Sequence, residues 1–189
     1  MKLEYIPQIN VKPWRIKAIV FAIGIALLAS MVVLGQNASA AGPNVLTNAD
    51  MESGTTNWVV NGAGTLSSDT TQFHGGTHSV KTTGRTAEWN GIGQNVAVSN
   101  FTSGQNWTVS VWVRSETGTP TAKATVRLTA GTTTTYVNLA SAAINSTGWT
   151  LVTGTVPVSW SGSLTGVLFY VETAAGTDNL YIDDANLHR

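Results

Sequence analysis

Between Trp107 and Ser115 the chain alternates: Val109, Val111 and Val113 fall on one side, and Thr108, Ser110 and Arg114 on the other. Side chains along an extended strand point to opposite faces with period two, so this segment is half-buried β-structure. Trp112 stands in the polar series and breaks the pattern. A second alternation follows, with Ala124, Val126 and Leu128 opposed by Lys123, Thr125, Arg127 and Thr129. No stretch repeats its apolar residues near every 3.6 positions over three turns, which leaves helices little to bury.

The remaining extended runs are short and bounded by turn residues. They are Asn44–Asn48, Trp58–Asn61, Thr65–Thr70, Ser79–Thr83, Trp89–Val98, Thr133–Leu139, Trp149–Val158, Gly166–Glu172 and Leu180–Leu187. Trp89–Val98 is interrupted by Gly91 and Gly93 and reads as a bulged strand or a strand after a shaped loop. Ten or eleven such strands close most naturally as two antiparallel sheets packed face to face, an all-β sandwich of jelly-roll type. Trp58, Trp107, Trp112 and Trp149 begin or fill strands and are expected in its core.

Residues 1–40 read as an export signal, with a signal helix ahead of the sandwich. Lys2, Lys12, Arg15 and Lys17 precede an apolar run from Ala18 to Leu34, and Ala38-Ser39-Ala40 supplies the small residues a signal peptidase accepts. Cleavage after Ala40 is expected, giving a secreted product; an uncleaved membrane anchor is the competing reading. Residues 41–189 carry six basic and nine acidic side chains, a formal charge of −3. They offer no clustered Lys and Arg, so nucleic acid is set aside as a partner. With no cysteine in the chain, disulfides, thiolate zinc sites and cysteine nucleophiles are excluded.

The series Asn48-Ala49-Asp50-Met51-Glu52-Ser53-Gly54, Trp58, His74-Gly75-Gly76-Thr77-His78-Ser79 and Gly84-Arg85-Thr86-Ala87-Glu88-Trp89-Asn90-Gly91 resembles the family 22 carbohydrate-binding modules, which bind xylan. So do Leu168-Phe169-Tyr170-Val171-Glu172 and Tyr181-Ile182-Asp183-Asp184 near the end. The resemblance covers nearly all of residues 41–189. It implies a jelly roll with a concave cleft for a xylan chain, a structural calcium ion and no catalysis. It further implies that Trp89 stacks on a sugar, that Tyr136 and Tyr170 line the cleft, and that Glu172 accepts hydrogen bonds from hydroxyls. Asn61 departs from the pattern, standing where xylan binders carry an arginine, and Arg127 stands where relatives can carry a neutral amide.

The residues themselves support the same chemistry. Sugars present C–H faces and hydroxyl edges, so a receptor needs aromatic platforms flanked by polar groups. Tyr170 and Glu172 share one face of a strand whose other face carries Val167, Phe169 and Val171. Arg85 is read as a brace for the Trp89 loop. Asp50 and Glu52 near the first strand would meet Asp183 and Asp184 on the last if the terminal strands pair, and crowded carboxylates favour Ca²⁺. The resemblance selects Glu52, one of the closing aspartates and main-chain carbonyls of residues 74–79 as its ligands.

Glycoside hydrolysis needs two carboxylates about 5 to 9.5 Å apart across the scissile bond. Glu88, Glu116 and Glu172 are isolated in the sequence, and no serine lies in a nucleophile-elbow pattern. The expectation is a secreted, monomeric, non-catalytic module for a β-linked polysaccharide. The alternative is a cell-surface structural or adhesive sandwich making protein contacts.

Overall fold

A computed structural model describes residues 41–189. The expected signal helix and cleavage site lie outside the described residues. Ten strands form two five-stranded antiparallel sheets. The first sheet contains β1 (Val59–Asn61), β4 (Gly91–Asn95), β9 (Leu164–Thr173), β6 (Thr121–Ala130) and β7 (Thr133–Ala143), in that spatial order. The second contains β2 (Thr65–Asp69), β3 (Ser79–Thr83), β10 (Leu180–His188), β5 (Gln105–Ser115) and β8 (Thr150–Val158). A single 3-10 turn at Val98–Asn100 is the only helical element among the described residues. The jelly-roll sandwich expected from the alternating runs is the fold.

The core lies between the sheets. Val109, Val111 and Val113 of β5 and Ile182 and Leu187 of β10 meet Ala124, Val126 and Leu128 of β6 and Val167, Phe169 and Val171 of β9. These small and β-branched residues suit a pleated surface and interdigitate across the layer. Trp58 packs edge-on to Phe169 with ring centroids 6.5 Å apart, and Trp107 stacks on Phe101 at 3.9 Å. Both tryptophans are buried, as expected.

Trp112 and Trp149 are not. Trp112 keeps its place on the outer face of β5, where it is partly exposed, so the alternation is unbroken after all. The His74 imidazole stacks on it at 3.9 Å and lies edge-on to Trp149 at 6.2 Å. Their apolar surface is covered from outside by a loop, a partner that alternation along one strand does not reveal.

The first expected strand, Asn44–Asn48, is an extended arm along β10. The Val45 N–H donates to the Leu187 carbonyl, and the Ala185 N–H donates to Ala49 where β10 bulges between Asp183 and Asn186. The Asn44 amide replaces part of the ladder: its Oδ1 accepts from Leu187 N at 3.0 Å and its Nδ2 donates to the Ala185 carbonyl at 2.9 Å. Side-chain amides compete in this way with regular backbone pairing. The arm brings the Asn48-to-Gly54 turn beside the last strand.

Candidate functional site: a polar groove on the outer face of the first sheet

The register of β9, β6 and β7 builds the site. Thr125 lies opposite Tyr170, Lys123 opposite Glu172, and Arg127 opposite both Leu168 and Tyr136. Because the inner faces of these strands carry the core, these side chains must emerge together on the outer face. With Asn61, Trp89 and Asn138, all of them but Leu168 line a groove of about 490 Å³. All six residues expected to contact a sugar, Trp89, Tyr136, Tyr170, Glu172, Asn61 and Arg127, are therefore gathered in one place.

Two of them are open and three are sunk. Trp89 is 51% exposed and Tyr136 63% exposed. Tyr170, Glu172 and Asn61 are buried. Large exposed aromatics beside a recessed polar floor form a platform that has no internal partner to satisfy. Burial, reinforced by the nearby Glu172 charge, pushes the Tyr170 hydroxyl up to about 12, so it is a neutral donor throughout the physiological range.

Glu172 is held by two side chains on β6. Its Oε1 accepts from Thr125 Oγ1 at 2.7 Å and forms an ion pair with Lys123 Nζ at 3.1 Å. Among the described residues no donor reaches Oε2. A buried carboxylate is tolerated when paired and hydrogen-bonded, and here the pairing uses only half of its accepting capacity. Lys123, Thr125 and Asn138 had not been singled out in the sequence. Lys123 and Thr125 occupy the same strand face as Arg127, and it is the β6–β9 register that turns this shared face into a shared site.

Trp89 is positioned by four devices. Arg85 is buried and spends its guanidinium on oxygen acceptors around the loop: Nε donates to Asn90 O at 2.8 Å, and Nη2 to Glu88 O and Thr173 Oγ1, both at 2.6 Å. Nη1 donates to Asp178 O. Asn90 Oδ1 accepts the N–H groups of Thr86 and Ala87 at 3.0 and 2.9 Å, closing the turn. Gly62, at φ +80°, leaves room for the ring: a Cβ there would lie 2.5 Å from Trp89 Cζ3 and 2.1 Å from Asn90 Nδ2. Asn61 contributes from the same turn, donating from Nδ2 to the Trp89 carbonyl at 2.9 Å. The expected bracing role of Arg85 is thus visible atom by atom, and Asn61 braces the same backbone.

A second cluster surrounds residues 74–78, between the N-terminal turn and β10. Glu52 Oε1 accepts from the N–H groups of Thr77 and His78, each at 2.9 Å, and Oε2 accepts from Thr77 Oγ1 at 2.8 Å. These bonds, led by the Thr77 N–H, hold its carboxyl down at about 2. Asp183 is buried and accepts from His74 N, Gly75 N and Asp184 N at 2.7, 3.1 and 2.8 Å. Burial pushes its carboxyl up despite those bonds. Asp184, at φ +43°, pairs with His74 Nδ1 at 2.6 Å. Asp50 bonds only the Glu52 N–H, at 3.5 Å, among the described residues.

The Gly75-Gly76 pair forms a cradle for these carboxylates. A Cβ at Gly76 would come within 2.3 Å of Glu52 Oε1, and one at Gly75 within 2.6 Å of Asp184 Oδ2. Two carboxylates pressed against bare backbone suit a hard cation that takes main-chain carbonyls as further ligands. Among the described residues no three acidic or imidazole side chains form a metal-holding group. Asn48, at φ +47°, organises the same corner: Nδ2 donates to the carbonyls of Gly54 and Thr56, and Oδ1 accepts from Ser53 N, all at 2.9 Å.

Comparison with known proteins places this geometry. The chain is 34% identical over 160 residues to endo-1,4-beta-xylanase A of Thermoanaerobacterium saccharolyticum, an alignment covering 82% of the chain but 13% of that enzyme. The chain therefore spans only a small part of that relative. Among solved structures it resembles the CBM22-1 xylan-binding domain from Paenibacillus barcinonensis Xyn10C, with a TM-score of 0.67 and 22% identity over 80% of this chain and 97% of that one. The C-terminal family 22 carbohydrate binding module of Clostridium thermocellum Xyn10B gives a TM-score of 0.66 at 21% identity, over 79% and 91% of the two chains. The family model described as a carbohydrate binding domain matches residues 43–179. With a jelly roll, a groove floored by buried polar groups beneath open aromatic rings, and that match over most of its length, the chain belongs to the carbohydrate-binding domain family.

Proposed function

We propose that the chain is a non-catalytic module that binds a β-linked xylan chain along the groove of Trp89, Tyr136, Tyr170 and Glu172. One observation carries this reading: exposed Trp89 and Tyr136 rings share a groove with a recessed carboxylate that has an unfilled acceptor. The rings offer π-faces to the C–H faces of successive sugars. Glu172 accepts from a ring hydroxyl, the neutral Tyr170 hydroxyl donates or accepts, and the Trp89 loop is rigid before the ligand arrives, which lowers the ordering cost of binding.

The likeness to xylan-binding domains and to a xylanase supports xylan as the polymer. Among the described residues Glu172 is the one carboxylate that lines the groove, which supports binding without hydrolysis. The remaining large exposed apolar side chains, Val59, Phe73, Val98 and Leu151, lie on β1, the β2–β3 loop, the 3-10 turn and β8. Such scatter favours a sugar ligand over an adhesive protein interface. Export through the segment 1–40 and a monomeric state belong to the same reading, as does a Ca²⁺ ion held by Glu52 and Asp184 with Gly75-Gly76 backbone oxygens, serving to fasten the N-terminal turn to β10.

Isothermal titration of the chain with xylohexaose, alongside Trp89→Ala, tests the groove. The expected result is exothermic binding that is lost in the variant with an unchanged melting temperature. Binding undiminished in Trp89→Ala would move the site elsewhere. A melting temperature that falls on chelation and returns with Ca²⁺ is expected for the cation site; a melt indifferent to chelator would remove the ion from the reading.

A further inference from the structure

The charges in the groove do not cancel. Its ionisable cations and anions are Lys123, Arg127 and Glu172, and the Lys123–Glu172 pair at 3.1 Å neutralises two of them. Arg127 is left over. Of the six Lys and Arg in residues 41–189, four are engaged: Lys81 by Glu116, Arg85 by its four oxygen acceptors, Arg114 by the Ser146 carbonyl and Lys123 by Glu172. Among the described residues Arg127 donates no hydrogen bond and faces no carboxylate in an ion pair. It is nonetheless half-buried on the groove face, directly across the strand pair from the open Tyr136 ring.

A guanidinium is a planar fork of five donors, matched in shape to a carboxylate and retaining its charge at any physiological pH. Residues 41–189 carry a net charge of −3, so a surplus cation in the groove runs against the overall balance. Bonding of Glu172 to Lys123 leaves the neighbouring anion already compensated and lowers its repulsion of an arriving negative group.

We infer that Arg127 is a specificity residue for a carboxylate carried by the polysaccharide, so that the groove prefers a β-linked chain bearing uronate branches to the bare neutral chain. A sugar stacked on Tyr136 puts the edge of its ring, where a branch is attached, beside Arg127. This inference rests on the groove being the sugar site. A half-exposed Arg–carboxylate contact is worth about fivefold in affinity at low ionic strength and fades as salt screens it.

The test uses the full chain with two oligosaccharide probes, a xylooligosaccharide bearing one glucuronate branch and the same compound after reduction of its carboxyl group. The expected ratio of affinities is about fivefold in favour of the acid, falling toward one in about 1 M salt, where the screening length is only a few ångströms. In Arg127→Ala the ratio falls to about one whatever the absolute affinities, and Arg127→Lys retains part of it. A ratio near one in the unaltered protein, or a ratio that persists in Arg127→Ala or at high salt, overturns the inference while leaving xylan binding in place. Failure of both probes to bind overturns the groove assignment itself. The salt series needs no variant, so the inference is testable even if Arg127→Ala does not fold.

Discussion

Replacing Arg85 by methionine tests whether the Trp89 platform is built by one buried guanidinium. Methionine keeps much of the side-chain length and removes every donor. Four acceptors then lose a partner: the carbonyls of Asn90, Glu88 and Asp178 and the Thr173 hydroxyl. A buried acceptor left unsatisfied costs about 1–3 kcal/mol. Not all four pay that cost, because Glu88 O also accepts from Thr173 N and Thr173 Oγ1 donates to Gly176 O. The carbonyls of Asn90 and Asp178 have the least compensation. Removing Arg85 also relieves the desolvation that depresses its own pKa, which returns part of the loss. The net destabilisation is about 3 kcal/mol, of the size seen when one member of a buried polar network is deleted.

For a domain of this length that corresponds to a fall of about 6–12 °C in melting temperature. The second consequence concerns binding. Trp89 lies four residues from Arg85, and its loop loses the bonds to Glu88 O and Asn90 O that flank it. Xylohexaose affinity should therefore fall at least as far as it would for a twofold loss of platform order, about 0.4 kcal/mol by the usual conversion. Differential scanning calorimetry and isothermal titration on the same samples measure the two effects. Trp89→Ala serves as the contrast, since an exposed ring can be removed with little change in stability. A melting temperature within about 2 °C of the unaltered protein would refute the network argument, because it would mean that water or rearrangement satisfies all four acceptors.

Two further outcomes follow from the sheet that carries the groove. Gly91→Ala puts a Cβ 1.9 Å from the Val171 carbonyl oxygen, so β4 must separate from β9; the expected loss is about 3 kcal/mol by overpacking, read in the same melt, and a stability equal to that of the unaltered protein would show that the strands can part freely. Tyr170 supplies the pH dependence: its folded pKa of about 12 lies above the ordinary value of 10.0, so its contribution to stability is complete below pH 10 and is lost as pH rises toward 12. Ultraviolet titration of the phenolates should show one late step that is absent in Tyr170→Phe; a Tyr170 that ionises at its ordinary value would contradict the burial argument.

The parts of this structure that were legible in the sequence are those in which one strand speaks for itself. Alternation on β5 and β6 assigned inner and outer faces correctly because side-chain direction depends only on position along the strand. The expectation failed where a second element intervenes. A large aromatic such as Trp112 is usually buried in the core, but His74 covers it from outside, a contact between residues 38 positions apart. Asn44–Asn48 has the look of a strand, yet the Asn44 amide substitutes for backbone pairing and leaves an arm. Trp89, Tyr136, Tyr170 and Glu172 were named through family resemblance. Lys123 and Thr125 fall on the outer face of β6 by alternation alone, but the Lys123 ion pair and the Thr125 hydrogen bond to Glu172 depend on a register that no single segment encodes.

Arg85 and Arg127 show why residue type alone does not assign a role. In the sequence each is an isolated arginine, with no second Lys or Arg within three positions. In the fold, Arg85 is buried with four of its five donors turned on main-chain and hydroxyl oxygens, so it acts by holding Trp89. Arg127 is half-buried beside Tyr136 and among the described residues its donors have no partner, so the folded domain gains little from it and a ligand can. The two therefore separate experimentally. Loss of Arg85 lowers stability and binds every sugar less well, because it disturbs the platform common to all of them. Loss of Arg127 leaves the platform standing and changes which sugar is preferred. A variant of Arg127 that lowered the melting temperature as far as Arg85→Met would show that its charge is consumed within the protein, and the groove would then have no cation to offer an acidic chain.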